Sequence, residues 1–310
     1  MKRTPRLHIT LIGAGKVGSV LGKLLLEAGD RIVCVVSRTP ASARRAGRFL
    51  HCRHVSTSLS AIPASTDFLL ITTPHSAVED VARGLAEVPS LDFAHLAACH
   101  ASGMLTAAAL EPLRMRGAVV FSFHPLQTFP RDFAPRDILD RARGIYYGID
   151  GLPRGQRMAR LLAAKLHGKT ILVPPELRPF YHAACVVASN HLTALLWMLE
   201  TMFKALKTKE KDFFPVFRPI VMATLGNIEA TSPAHALSGP VARGGVQTLA
   251  QHLESVRHMT PEVMPYYLQL SLETVRLASA KGSINEEQKT ALMDLLQAYG
   301  EPAMRGEEAR

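Results

Sequence analysis

Residues 7–12 form a short apolar run that leads straight into Gly13-Ala14-Gly15-Lys16-Val17-Gly18, and residues 19–26 continue as an apolar helical stretch. A glycine pattern of this kind says little alone. Between a strand and a helix it predicts a turn that holds the pyrophosphate of a dinucleotide. Each glycine has its own reason. Gly13 makes the tight turn, Gly15 lets the backbone approach the anion, and Gly18 lets the helix pack on the strand. The N–H groups that open the helix, around Ala14, Lys16 and Val17, have no helical partner and face the phosphates. The alternative is a glycine-rich turn with no ligand.

The second strand bears on which dinucleotide. Residues 31–36 are again apolar and β-branched, as a central parallel strand requires. An NAD-binding chain of this type carries Asp or Glu after this strand to accept from the ribose 2′-OH. Here Ser37-Arg38-Thr39 stands in that place, and residues 31–66 hold no acidic residue. The planar fork of Arg38 suits a 2′-phosphate, so Ser37 and Arg38 predict NADP(H). Arg44, Arg45 and Arg48 follow on a helix, where a solvated face is their simpler reading.

A chain of 310 residues that is 47% hydrophobic and 20% charged can build two domains with substantial cores. Its net charge of +10 raises nucleic acid as a partner. The basic residues are spread out, however, and do not interleave with aromatics as in single-strand binders. The expectation is no nucleic acid, and a basic surface that attracts an anionic cofactor and a small anionic substrate. Cys34, Cys52, Cys99 and Cys185 have no metal-ligand spacing, so no metal is expected, and free thiols fit the cytoplasm. The basic start, residues 1–6, is not followed by a signal-peptide apolar region. Residues 183–203 are apolar enough to raise a membrane span. They include Asn190, His191 and Glu200, so a buried core helix, and no membrane, is expected.

Apolar strands alternate with helical patterns through the first half, which predicts an α/β fold with a doubly wound parallel sheet. Strands are expected near residues 67–74, 95–100, 118–123, 145–149 and 170–173. Pro174-Pro175 then breaks the pattern. The rest of the chain reads as all-helical, including an apolar helix over residues 180–204 and a last one over 286–299. The predicted domains are residues 1–173 and 174–310.

Ligands on such a sheet sit beyond the carboxyl ends of the strands. Thr72-Thr73-Pro74-His75, His100-Ala101-Ser102-Gly103 and His124-Pro125-Leu126-Gln127 all fall there. Thr73 and Pro74 are expected beside the cofactor. A reductase needs a group that gives a proton as hydride arrives, and His100 and His124 can serve near neutral pH. Ser102 can hydrogen-bond the reacting group. His75 reads equally well as a capping residue. In the second half, His182 and Asn190 lie on an apolar helix, where they line a pocket or bond within the core. The turn-rich segment 236–245 offers Ser238, Gly239 and Arg243 to a substrate carboxylate, or is a plain connector.

Together these segments resemble Rossmann-like proteins whose C-terminal half is the domain of unknown function 2520. The resemblance rests on Gly13 to Gly18, Thr72-Thr73-Pro74, His100 to Gly103, His124 to Phe129, Tyr181-His182 through Asn190, and Ser238 to Gly244. It implies a Rossmann-type NAD(P)-binding domain followed by an all-helical domain, similar to pyrroline-5-carboxylate reductase, prephenate dehydrogenase and ketopantoate reductase. It also implies a homodimer formed through the helical domain, and a 2-keto acid such as ketopantoate as one candidate class of substrate. The chain departs from the family at Gly245, where many members have Asp. Val186 stands where several hydroxyacid dehydrogenases place a lysine, which leaves proton transfer to His182, His100 or His124. The expectation is an NADP(H)-dependent reductase of a small anionic carbonyl or imine; the alternative is a non-catalytic NADP(H) sensor.

Overall fold

A computed structural model describes residues 6–300. Residues 1–5, which belong to the basic start considered as a leader, lie outside them. The chain divides into two compact units, residues 1–189 and 190–310.

The first unit is built on one sheet with strands β1 His8–Ile12, β2 Arg31–Val36, β3 Val55–Ser56, β4 Phe68–Ile71, β5 Ala97–His100, β6 Val119–Pro125, β7 Tyr146–Gly151 and β8 Lys169–Leu172. Their order is β3-β2-β1-β4-β5-β6-β7-β8. Strands β1 to β6 pair in parallel. The sheet departs from a wholly parallel one at β7, which runs antiparallel to β6, with β8 parallel to β7. A parallel return needs a long crossover. Between β6 and β7 the helical pieces are only a four-residue helix and a 3₁₀ turn, so the chain comes back along its neighbour.

The helices of this unit are α1 Lys16–Glu27, α2 Pro40–Phe49, α3 Val78–Ala86, α4 Glu111–Met115, α5 Pro135–Ile138, α6 Pro153–Lys165 and α7 Arg178–Val186. Both faces of the sheet are covered, as parallel strands demand. On one, Leu21, Leu25 and Leu162 pack with Ile9, Leu11 and Phe121. On the other, Val78, Ala82 and Leu85 pack with Ile12, Leu69 and Ile71.

The second unit is helical: α8 Leu192–Ala205, α9 Phe213–Ala230, α10 Pro233–Ala236, α11 Val246–Met259, α12 Met264–Lys281 and α13 Glu286–Gly300. Its core forms where Leu249, Leu253, Val275, Leu292 and Leu296 meet.

The segment expected as one buried helix over residues 180–204 differs in two ways. It is α7, a π-helical turn Val187–His191, then α8. Of α8, Phe203 alone is buried, while Trp197 is 63% exposed. An apolar helix marks surface that needs cover; its sequence does not say that the same unit supplies it. The run Pro175–Ala205 has the length and hydropathy of a membrane span, but it carries Arg178, His182, Glu200 and Lys204 as well as the π turn. The boundary between units also falls later than the Pro174-Pro175 break, because α7 packs on the sheet through Arg178 and Tyr181.

Candidate functional site

The parallel register aligns Val36, Ile12, Ile71, His100 and Ser122 across the sheet. The residues just beyond them therefore emerge along one edge. The first is the glycine turn. Gly13 has φ +100°, and a Cβ there would come within 2.7 Å of the Thr72 carbonyl carbon. At Gly15 a Cβ would meet nothing within 4 Å, so the turn is open on that side. At Gly18 a Cβ would overlap the Gly13 carbonyl and the Thr72 hydroxyl, which donates to Gly13 O at 2.7 Å. Gly15 is the N-cap of α1, with no side-chain capping bond and no acidic residue in the first turn. The helix thus opens on unoccupied N–H groups and the positive end of its dipole.

A cleft of about 1210 Å³ runs from this turn. Of the residues expected at the cofactor, Gly13, Ala14, Gly15, Lys16, Val17, Ser37, Arg38, Thr73 and Pro74 line it and Gly18 does not. Arg45 and Arg131 line it too, and no Asp or Glu does. Arg45 had the simpler reading of a solvated helix face. It lies on the second turn of α2, with its guanidinium 3.4 Å from Ser42 Oγ, which also lines the cleft. Arg44 and Arg48 are exposed and stay outside the lining. Lys16 Nζ donates to the Phe133 carbonyl, which ties the 126–135 loop to the start of α1.

A smaller cavity of about 190 Å³ shares Val17, Thr72 and Thr73 with this cleft and is also lined by His75, Ser102, Gly103 and His182. The Thr73 hydroxyl and His182 Nδ1 are buried without a hydrogen-bond partner. A buried polar group without a partner costs free energy, and both belong to residues that line this cavity. Ser102 Oγ accepts from the N–H groups of Met104 and Leu105, each at 3.2 Å. With its lone pairs so used, its proton is the part left to give.

The imidazoles divide. His100 is fully buried: Nε2 lies 2.8 Å from the Thr106 carbonyl, and Nδ1 accepts from Ser102 N–H at 3.2 Å. Both nitrogens hold the 100–106 loop, and burial pulls its pKa down to about 4. The sequence expectation is that His100 gives a proton; in this structure neither of its nitrogens is free, and the ring lines neither cavity. His124 stands one layer behind the cavity, with Nδ1 2.8 Å from the Tyr181 hydroxyl. Burial, and then the charge of Arg178, lowers its pKa to about 4, so the ring is neutral at pH 7. Asn190, Ser238, Gly239 and Arg243 belong to the second unit, where Gly239 (φ +95°) and Gly244 (φ +69°) make the turns of the 236–245 segment.

Beneath these rings lies a group that sequence reasoning missed. Arg178 is fully buried; its Nε donates to Asp150 Oδ2 at 2.8 Å, and Nη2 donates to the Ser122 hydroxyl. Ser122 Oγ is also 2.9 Å from Asp150 Oδ2, and Asp150 Oδ1 accepts from Ala107 N–H at 2.6 Å. The pairing of Ser122 with Asp150 across β6 and β7 is a tertiary fact with no local signature.

Residues 1–125 match the model of a Rossmann-like domain, and residues 145–274 match that of a domain of unknown function, DUF2520. No curated protein matches the sequence. Among solved structures, protein TM1727 from Thermotoga maritima is 19% identical with a TM-score of 0.69, over 88% of this chain and 99% of that one. BF3122 from Bacteroides fragilis, provisionally described as an NADP oxidoreductase, is 22% identical with a TM-score of 0.68, over 88% and 98%. A reductive aminase from Aspergillus terreus, in complex with NADPH and ethyl-5-oxohexanoate, is 14% identical with a TM-score of 0.56, over 95% and 93%. At these identities the likeness is one of fold. The glycine turn and strands β1 to β6 thus fall under the first model, and β7 through the first part of α12 under the second, so the chain carries a Rossmann-like domain followed by a DUF2520 domain.

Proposed function

We propose that the protein is an NADP(H)-dependent oxidoreductase that reduces a small anionic carbonyl or imine. The observation that carries this is the meeting of two cavities at Val17, Thr72 and Thr73. One is long, basic and free of lining carboxylates. The other is small and offers Ser102 and His182. In this reading the pyrophosphate lies on the N–H groups at the start of α1, and the 2′-phosphate meets Ser37, Arg38 and Arg45. Thr73 and Pro74 would flank the nicotinamide, and the bound cofactor would supply hydride to the substrate carbon while a cavity donor, Ser102 or His182, supplies the proton to its oxygen or nitrogen. Ser102 and His182 then hydrogen-bond the oxygen or nitrogen on which negative charge grows, with the neutral His124 behind them.

The cofactor assignment is tested by fluorescence titration of Arg38→Asp. One charge-assisted hydrogen bond contributes about 1.5–3 kcal/mol, so NADPH affinity should fall roughly 10- to 150-fold while NADH affinity changes little. Equal losses for both would end the 2′-phosphate assignment. Activity is tested by NADPH oxidation with a panel of 2-keto acids and cyclic imines. Binding without turnover on every member would favour the sensor.

We further propose that the protein works in the cytoplasm as a homodimer. Its cysteines are all free, which suits a reducing compartment. Leu195, Trp197, Ile220, Met222 and Leu225 on α8 and α9 are between 43% and 65% exposed. Soluble monomers rarely leave large apolar patches open, and a second copy is the occupant proposed for these side chains. Sedimentation should give twice the chain mass, and Trp197→Glu should give a monomer. A wild-type monomer at micromolar concentration would overturn this.

A further inference from the structure

Helix α7 presents Arg178, Tyr181 and His182 toward β6, β7 and the Ser102-Gly103 turn. Their spacing suits the strand beneath. Side chains two apart on a strand share a face, as those three apart on a helix do. Arg178 therefore meets Ser122, and Tyr181 meets His124. The register sets Gly148 directly across from His124. A Cβ at Gly148 would overlap the Tyr181 phenol, so the absent side chain is what admits that ring. On the far side of the imidazole, a Cβ at Gly103 would lie 2.8 Å from His124 Nε2 and 2.7 Å from His182 Nδ1. His124 is held between two glycines, with Nδ1 on the phenol and Nε2 turned to Gly103 and the unpartnered Nδ1 of His182. The two nitrogens thus flank the Gly103 backbone from neighbouring sides.

We propose that Tyr181 is a positioning residue: its hydroxyl donates to Nδ1 of His124, so that the proton of the neutral ring sits on Nε2, the nitrogen that faces Gly103. Three features fix the direction of this bond. Burial pushes the Tyr181 phenol up, so it always holds a proton to give. A ring nitrogen is a much better acceptor than the Cys185 sulfur, which is the other group in reach of the phenol. The Arg178 guanidinium lies 5.6 Å from the centre of the Tyr181 ring, and a cation there makes the O–H a stronger donor.

The groups that face His124 also keep it neutral. Arg178 and His182 on α7 and His100 on β5 all oppose a positive charge on it, and Asp150 on β7 is taken up by Arg178. A neutral ring has one proton to place. On Nε2 it points a donor at the cavity wall, where Gly103 and His182 stand between it and a bound carbonyl or imine. On Nδ1 it would leave a lone pair there instead. The use of that donor rests on the proposed reductase activity; the tautomer itself does not.

The test is a long-range proton–nitrogen spectrum of the full chain labelled with ¹⁵N-histidine, with His124 assigned from His124→Asn. The wild type should show a protonated Nε2 and a bare, hydrogen-bonded Nδ1 at neutral pH. In Tyr181→Phe the ratio of the two tautomers should fall by about threefold to tenfold, which is what one neutral hydrogen bond contributes. Gly148→Ala should do the same while keeping the hydroxyl, because it expels the phenol. A wild-type ring protonated on Nδ1 would overturn the inference, and so would ratios that neither variant moves. Since the spectrum needs no ligand, the predicted tautomer in a protein that binds no nicotinamide cofactor would sink the reductase proposal alone.

Discussion

Arg178→Met should destabilise the protein by about 3–5 kcal/mol in urea denaturation. Arg178 and Asp150 are 0% and 2% exposed. Their ion pair is 2.6 Å long and bridged by Ser122. Taking two charges out of water is costly, and their attraction repays it only while both are present. Methionine can occupy much of the guanidinium's space, but it leaves the Asp150 carboxylate with only the Ala107 N–H and the Ser122 hydroxyl. The cost should therefore be electrostatic more than steric. The double variant Arg178→Met with Asp150→Asn tests that distinction, since a neutral amide in the same place removes the stranded charge and should recover a good part of the loss. A single variant that loses less than about 1 kcal/mol would place the pair among solvated ones, and a double variant worse than the single would mean that packing, not charge, is what Arg178 supplies.

How far the sequence could be read depends on which features are local. The glycine turn, the apolar strands and the last helix, α13, each rest on residues adjacent in the chain, and each was legible. Gly13, Gly15 and Gly18 even occupy distinct environments that match their expected tasks. What escaped depends on residues far apart. His100 and His182 look alike in sequence. A carbonyl at Thr106 and the backbone at Ser102 occupy one ring, while nothing occupies Nδ1 of the other. Arg178 reads as a charge near the start of a helix until β7 brings Asp150 to it. The apolar character of α8 was legible, but whether its own unit covers that surface was not. The antiparallel β7 comes from the shortness of the link before it, and no residue in the strand itself announces it.

His182→Ala should slow turnover by about 10²–10⁴-fold, the usual contribution of a positioned proton donor or acceptor. NADPH affinity should stay within about a factor of two, because His182 lines the small cavity and not the cofactor cleft. That split is what separates a group acting on the reacting atom from one that merely shapes the fold, which would change both. The partner experiment is His124→Ala. The two ring centroids are 6.1 Å apart and their nitrogens converge above Gly103. If both hydrogen-bond one substrate atom, they act as a unit, and removing the second after the first should cost little more. The double variant should therefore lie within about tenfold of the slower single one. Losses that multiply would mean that the rings serve separate atoms, and unchanged turnover in His182→Ala would remove that ring from the chemistry and leave the Ser102 and Thr73 hydroxyls as the next donors to test.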